Sequence, residues 1–277
     1  HIALIQFNQM LGEVGRRLDA VDTFLTHYGY IESCIAIGEY RAYLGDFCVP
    51  SFHEERRIRM VDGYHPMLTD PVRNTFEAGK GMLITGSNAS GKSTFLKTVA
   101  INALLAQSIQ TCLAGEFETC FFRICSSMSL KDDVLHGESY YMVEVKSIKR
   151  ILDLIAHKEY RVLCFVDEVL RGTNTVERIA ASSQILKSLN SENSMCFVAT
   201  HDIELTSLLE DRYENYHFRE EVTDGDVTFS YQLLPGKATT RNAIRLLSIM
   251  GYQENIIQKA EQMALEFVRN SHWQMLD

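Results

Sequence analysis

The chain has 277 residues, 46% of them hydrophobic, and a formal charge of −9. That length and apolar content permit one large domain, or one domain with appendages, around an ample core. No run is long and apolar enough to span a bilayer and no signal-peptide pattern opens the chain; the acidic balance argues against a nucleic-acid binder that uses its whole surface.

Residues 1–46 read as helical. Leu11, Val14, Leu18, Val21 and Leu25 recur at spacings of three and four, which makes one apolar stripe in need of a partner surface. Tyr28 to Tyr43, rich in Ile, Ala and Tyr, is expected to form a second helix. The first residue is His1 rather than Met, so the chain is expected to be a piece of something longer. Around Pro50 the pattern changes, and a domain boundary is expected near residue 47. Cys48 to Phe52 and Ile58 to Val61 resemble a short antiparallel pair, followed by a turn at Tyr64 to Leu68.

From there to about residue 235, strands alternate with helices. Strand Met82–Thr85 precedes a glycine loop and a helical run, Thr94 to Gln110. A strand region at Phe121–Ser129 leads to a helix over Glu138–Ala156. The strand at 162–168 is followed by helix Glu177–Leu189 and strand Met195–Ala199. Strands Asn215–Val222 and Val227–Leu233 flank Asp224-Gly225, a hairpin signal. This alternation predicts an α/β fold, a mainly parallel sheet with helices on both faces and an antiparallel edge. After Pro235-Gly236 come two helical runs, Asn242–Met250 and Gln253–Arg269. The expected organisation is a helical segment at 1–47, a main domain at 48–236 and a helical unit at 237–277. The seven cysteines form no C-x-x-C pair. Cys120, Cys125, Cys164 and Cys196 lie in apolar, strand-like runs and read as reduced core thiols of a cytoplasmic protein. His53, His136, His157 and His217 share no metal-ligand spacing.

The chemistry begins at Gly86-Ser87-Asn88-Ala89-Ser90-Gly91-Lys92-Ser93, which fits G-x-x-x-x-G-K-[ST], the phosphate-binding loop. Strand, glycine loop and helix are the context that motif requires. Loop amides and the helix N-terminus make a concave site for phosphate oxygens. Lys92 would reach the β- and γ-phosphates, and Ser93 would ligate Mg²⁺. Val162 to Val166 deliver Asp167 and Glu168 to the carboxyl edge of the sheet, where nucleotides bind in open α/β folds. Asp167 would serve the metal and Glu168 would polarise the attacking water.

Five stretches together resemble the MutS mismatch-repair ATPases. They are Thr85 to Leu96, Asp167 to Thr175, the Ala199-Thr200-His201 switch with Asp202 to Thr206, Gly137 to Glu144, and Tyr64-His65-Pro66. The resemblance covers roughly residues 8–270. It implies a P-loop NTPase of the ABC type, a Mg²⁺-dependent ATP hydrolase whose two nucleotides lie between two subunits. By position it assigns Gly86, Ser87, Asn88, Ala89, Ser90, Gly91, Lys92, Ser93 and Thr94 to the phosphates. His201 would sense the γ-phosphate and Ser139 would act in trans on the partner's nucleotide. Thr173 and Asn174 would lie in the loop at the dimer axis, and Val72 and Asn74 near the adenine. Segment 1–47 would be a remnant of a lever domain and 237–277 a dimerisation unit. Partners would be a second copy, through the ATPase face, and DNA, through domains missing from this chain.

The chain departs from the family pattern in three places. Ala89-Ser90-Gly91 stands for the usual Met-Gly-Gly, and Val169-Leu170 displaces the usual glycine after the acidic pair. Val176-Glu177-Arg178 replaces an aromatic-Asp-Gly run. Nothing matches the mismatch-reading Phe-x-Glu domain or a DNA clamp. Two other functions stay open: an ABC-type nucleotide subunit for a non-DNA partner, which would carry a Leu-Ser-Gly-Gly-Gln signature absent here, and a nucleotide-gated scaffold with little turnover.

Overall fold

The structure is a computed structural model that describes residues 2–87, 89–128, 140–223, 226–238 and 243–270. The chain divides into two units, His1–Phe47 and Cys48–Asp277. The first unit holds helix α1 (Ile2–Arg16) and helix α2 (Leu18–Leu44). The apolar stripe crosses a break at Arg17, which leaves helical geometry at φ −124° and ψ 32°. The second helix therefore starts at Leu18 rather than Tyr28; Gly15, two residues before the break, is the nearest glycine. At its far end the chain leaves α2 through Gly45, whose left-handed φ of 69° lets its N–H reach Arg41 O. No residue of either helix is buried, and Leu11, Phe24, Leu25 and Ile31 among others stand exposed.

In the second unit the elements follow in chain order: β1 (Ser51–Phe52), β2 (Ile58–Gly63), β3 (Asn74–Ala78), β4 (Gly81–Thr85), α3 (Lys92–Ile109), β5 (Glu116–Thr119), β6 (Arg123–Ser127), α4 (Tyr140–Ala156), β7 (Val162–Asp167), α5 (Thr175–Leu189), β8 (Ser194–Thr200), α6 (Glu204–Leu208), β9 (Tyr213–Thr223), β10 (Asp226–Pro235), α7 (Ala243–Ile249) and α8 (Glu254–Asn270). A four-stranded sheet has the order β1-β5-β2-β3, and a six-stranded sheet the order β10-β9-β4-β8-β7-β6. The expected antiparallel pairing of β1 with β2 does not form. β5, a four-residue strand not foreseen, lies between them, parallel to β1 and antiparallel to β2. In the larger sheet every pairing is parallel except β9 with β10 at the edge. The Asp224-Gly225 turn lies outside the described residues, as do Asn242 and Trp273.

Side chains of the three central strands alternate between two cores, as a period of two requires. Met82, Ile84, Leu163, Phe165, Met195, Phe197 and Ala199 pack with Phe95, Leu96 and Val99 of α3 and with Ile58, Met60 and Phe76 of the smaller sheet. Leu83, Val162, Cys164, Val166, Cys196 and Val198 pack with Ile148 and Ile151 of α4, Leu186 and Leu189 of α5, and Leu205 of α6. Both layers are closed, so these strands read as unbroken apolar runs. Phe76 meets the rings of Phe95 and Phe197 edge-on, at centroid distances of 5.4 and 5.7 Å. None of the seven cysteines is in a disulfide. Cys125, Cys164 and Cys196 stand side by side in register across β6, β7 and β8.

Register also sets what the sheet presents at its carboxyl edge. Thr85 pairs with Thr200, and Asp167 with Ala199. The next residues of the three strands are Gly86, Glu168 and His201, so parallel pairing alone brings the glycine loop, the acid and the histidine to one edge.

Candidate active site

The loop after β4 is shaped by two glycines. A Cβ on Gly86, at φ 151°, would stand 2.8 Å from Ser90 Oγ and 2.9 Å from Phe218 O. Only glycine fits there. Gly91, at φ 105°, is the N-cap of α3, and Phe95 N–H donates to its carbonyl. The first amides of α3 therefore face the loop's concavity, where the helix dipole favours an anion. Ala89, Ser90, Ser93 and Thr94 line the same space. Asn88 and Ser139 lie outside the described residues.

Lys92 is only 5% exposed. Its Nζ donates to Gly86 O at 2.8 Å and Ser87 O at 2.7 Å. Burial pushes its ammonium down to about 8, against the attraction of Glu168 and Asp167. A buried ammonium of this kind is complementary to an added anion such as phosphate. Behind the loop, Ser87 Oγ donates to the buried carboxylate of Glu220 on β9, a contact the sequence did not signal.

Glu168 follows Asp167 in a left-handed conformation, φ 63°. Its Oε1 lies 3.0 Å from His201 Nε2, and Arg171 donates to both of its oxygens. Burial pushes the carboxyl up, but the hydrogen bonds from His201 and Arg171 outweigh it and hold Glu168 at about 2. His201 Nε2 is also 3.4 Å from Lys92 Nζ. One ring nitrogen can donate to Glu168 or accept from Lys92, not both at once, so the imidazole has two hydrogen-bonded states here. Asp202, next along, takes a bidentate ion pair from Arg178 of α5, at 2.6 and 2.9 Å, which braces the segment carrying His201. Asn174 caps α5, its side chain accepting the Val176 N–H.

Of these groups, the loop from Ala89 to Thr94, Glu168, Arg171 and His201 open into a cavity of 540 Å³. Lys92, Ser93, Glu168, Arg171 and His201 line one part, and His65, Val72, Asn74, Phe218 and Tyr231 another. Tyr231 was not foreseen. It sits at φ 53° in a register shift of β10 between Phe229 and Leu233. Asn74 pins that irregularity: its Nδ2 donates to Tyr231 O at 3.1 Å and its Oδ1 accepts from Leu233 N–H at 2.7 Å. The ring of Tyr231 stands against Gly91, where a Cβ would come within 3.2 Å of it. The cavity thus has a cationic, amide-lined end beside an aromatic wall. A buried lysine, an acid and a histidine meet at the first, and a planar group fits the second.

Residues 82–268 match the family described as MutS domain V. The chain is 32% identical over 245 residues to the DNA mismatch repair protein MutS of Roseiflexus sp., covering 83% of this chain and 22% of that protein. It is 33% identical over 219 residues to the MutS of Thermus thermophilus, with coverages of 77% and 26%. With the MutS of Lactobacillus acidophilus it shares 29% over 267 residues, with coverages of 91% and 30%. The chain thus spans less than a third of the length of these relatives.

Proposed function

This chain belongs to the MutS family of P-loop ATPase domains, and we propose that it is the ATP-binding and ATP-hydrolysing part of a MutS-like protein that couples nucleotide turnover to DNA binding in mismatch repair or a related process. The observation that carries the reading is the convergence of Lys92, Glu168 and His201 on a cavity whose other wall is Tyr231.

The loop amides and Lys92 would hold the phosphates, with the base against Tyr231 and beside Val72. Mg²⁺ keeps several waters and needs one or two protein ligands beside phosphate oxygens. Ser93 and Asp167 would hold it, and it would neutralise charge on the phosphates. Glu168 would orient the attacking water and accept its proton. His201, between Glu168 and Lys92, would report whether a γ-phosphate is in place. In this reading the domain is of the ABC type and works as a homodimer, Ser139 of one copy completing the site of the other. The 237–277 helices would add to that interface, and DNA would be bound by parts of the protein beyond this chain.

A scaffold with little turnover is the second reading. It is favoured by Glu168 itself, which is engaged on both oxygens and, at about 2, is a weak base until Arg171 or His201 lets go. ATP binding and steady-state hydrolysis by the whole protein with Mg²⁺ separate the two. Turnover that Glu168→Gln removes, with binding retained, supports the hydrolase. Binding without turnover in the wild type supports the scaffold, and failure to bind ATP sinks both.

A further inference from the structure

Glu144 lies in the first half of α4 and is only 2% exposed. Its Oε1 accepts the N–H of Leu170 at 2.5 Å. Burial pushes its carboxyl up, while the backbone amides of Leu170 and Arg171 pull the other way. A buried carboxylate is costly to keep, and the site described above makes no use of it.

The loop it touches has an unusual backbone. Glu168 and Leu170 are both left-handed, at φ 63° and 58°, and neither is glycine. Side chains disfavour that region, so the conformation persists only where surrounding structure over-determines it. Three ties from outside the loop are present. Glu168 N–H donates to Ala199 O at 2.9 Å, Ser182 Oγ donates to Val169 O at 3.4 Å, and Glu144 takes the Leu170 amide. The last is the shortest, and it comes from the helix that begins next to the serine assigned to the partner's nucleotide.

We propose that Glu144 is a positioning residue for hydrolysis: by accepting the Leu170 N–H it holds the left-handed turn that aims Glu168 into the cavity, so that α4 and the acid move as one body. The proposal rests on the reading of Glu168 given above. A shift of α4 on closure against a second copy would be felt at Leu170, two residues from the acid.

The test is Glu144→Leu and Glu144→Gln in the whole protein, with kcat at saturating ATP and Mg²⁺, the Kd for ATP, and a thermal melt. Misplacing a reacting group by about 1 Å costs on the order of 10²-fold in rate. Glu144→Leu should therefore lower kcat by about that factor while Kd changes by less than about threefold. Glu144→Gln should fall between: its amide oxygen still accepts the Leu170 N–H, but the acceptor no longer carries the charge that strengthens that bond. Equal kcat in wild type and Glu144→Leu overturns the proposal, and so does a parallel loss of kcat and ATP affinity. Should Glu144→Leu fail to fold, the same two readouts on Glu144→Gln decide, an unchanged kcat again overturning it. A wild type that binds ATP but does not turn it over would overturn the proposal together with the role of Glu168; turnover that is normal in Glu144→Leu but lost in Glu168→Gln would overturn the proposal alone.

Discussion

His201 Nε2 stands 3.0 Å from Glu168 Oε1, so the histidine after β8 and the acid after β7 form one hydrogen-bonded unit. Parallel pairing of Asp167 with Ala199 dictates that contact. Glu168→Gln keeps the shape and removes the base. ATP should still bind with Mg²⁺, and hydrolysis should fall by about 10²-fold or more. A single-turnover assay that finds wild-type rates in Glu168→Gln removes the acid from the mechanism.

Burial brings Lys92 down from 10.5 to about 8, with Glu168 and Asp167 opposing the shift. The unfolded chain keeps this proton up to pH 10.5, so the penalty on the folded state is relieved, and stability gained, as pH rises from 8 to 10.5. A phosphate oxyanion at Nζ favours the charged form. Nucleotide binding above pH 8 should therefore take up a proton, and affinity should fall as pH rises. Calorimetry in buffers of different ionisation enthalpy reads both effects. Lys92→Ala should lose the proton uptake and most of the affinity; proton-neutral binding in the wild type would place the phosphates elsewhere.

Glu168 shows the opposite dependence. Its carboxyl lies at about 2 instead of 4.5 because the bonds from His201 and Arg171 outweigh burial. The stability it contributes is fully present above pH 4.5 and is lost as pH falls toward 2. Glu168→Gln and Arg171→Ala should each flatten the acid side of the stability profile. Urea titrations between pH 4.5 and 2 test this; profiles parallel to wild type would mean the ion pair contributes nothing.

Tyr231 offers its ring to the cavity, and base–aromatic stacking contributes about 1–3 kcal/mol per base. Tyr231→Ala should weaken ATP binding by roughly 5- to 150-fold on that scale, while Tyr231→Phe should bind as wild type. Asn74→Ala leaves the ring in place but frees the backbone on which it is mounted. Its loss of affinity should lie between those of the two tyrosine variants. If Tyr231→Ala binds ATP normally, the base does not lie on this wall.

The glycine-loop side of the cavity was legible in the sequence because its residues are contiguous. A glycine loop must sit between strand and helix, and acids must end a buried strand. The side walled by Tyr231 was not legible. Tyr231 belongs to a strand that reads as ordinary alternation, and its partner Asn74 is 157 residues away. Leu170 takes a conformation that glycine would announce and leucine conceals. The Arg171 clamp on Glu168 and the burial of Glu144 depend on the same turn, so they were hidden with it. In the fold, the alternating α/β pattern of the larger sheet could be read from its long apolar strands. β5 could not, since four residues give too little periodicity, and missing it led to the unformed β1–β2 pair.

The row of thiols across β6, β7 and β8 gives this molecule a built-in timer. Cys34 is exposed, whereas Cys164 and Cys196 are fully enclosed between the two layers. An alkylating reagent should mark Cys34 on mixing and reach Cys164 and Cys196 only when β7 and β8 part from their covering helices. The mass of the labelled peptides over time would then report how often the centre of the sheet opens, with no probe introduced, and how far an occupied site at its edge slows that opening.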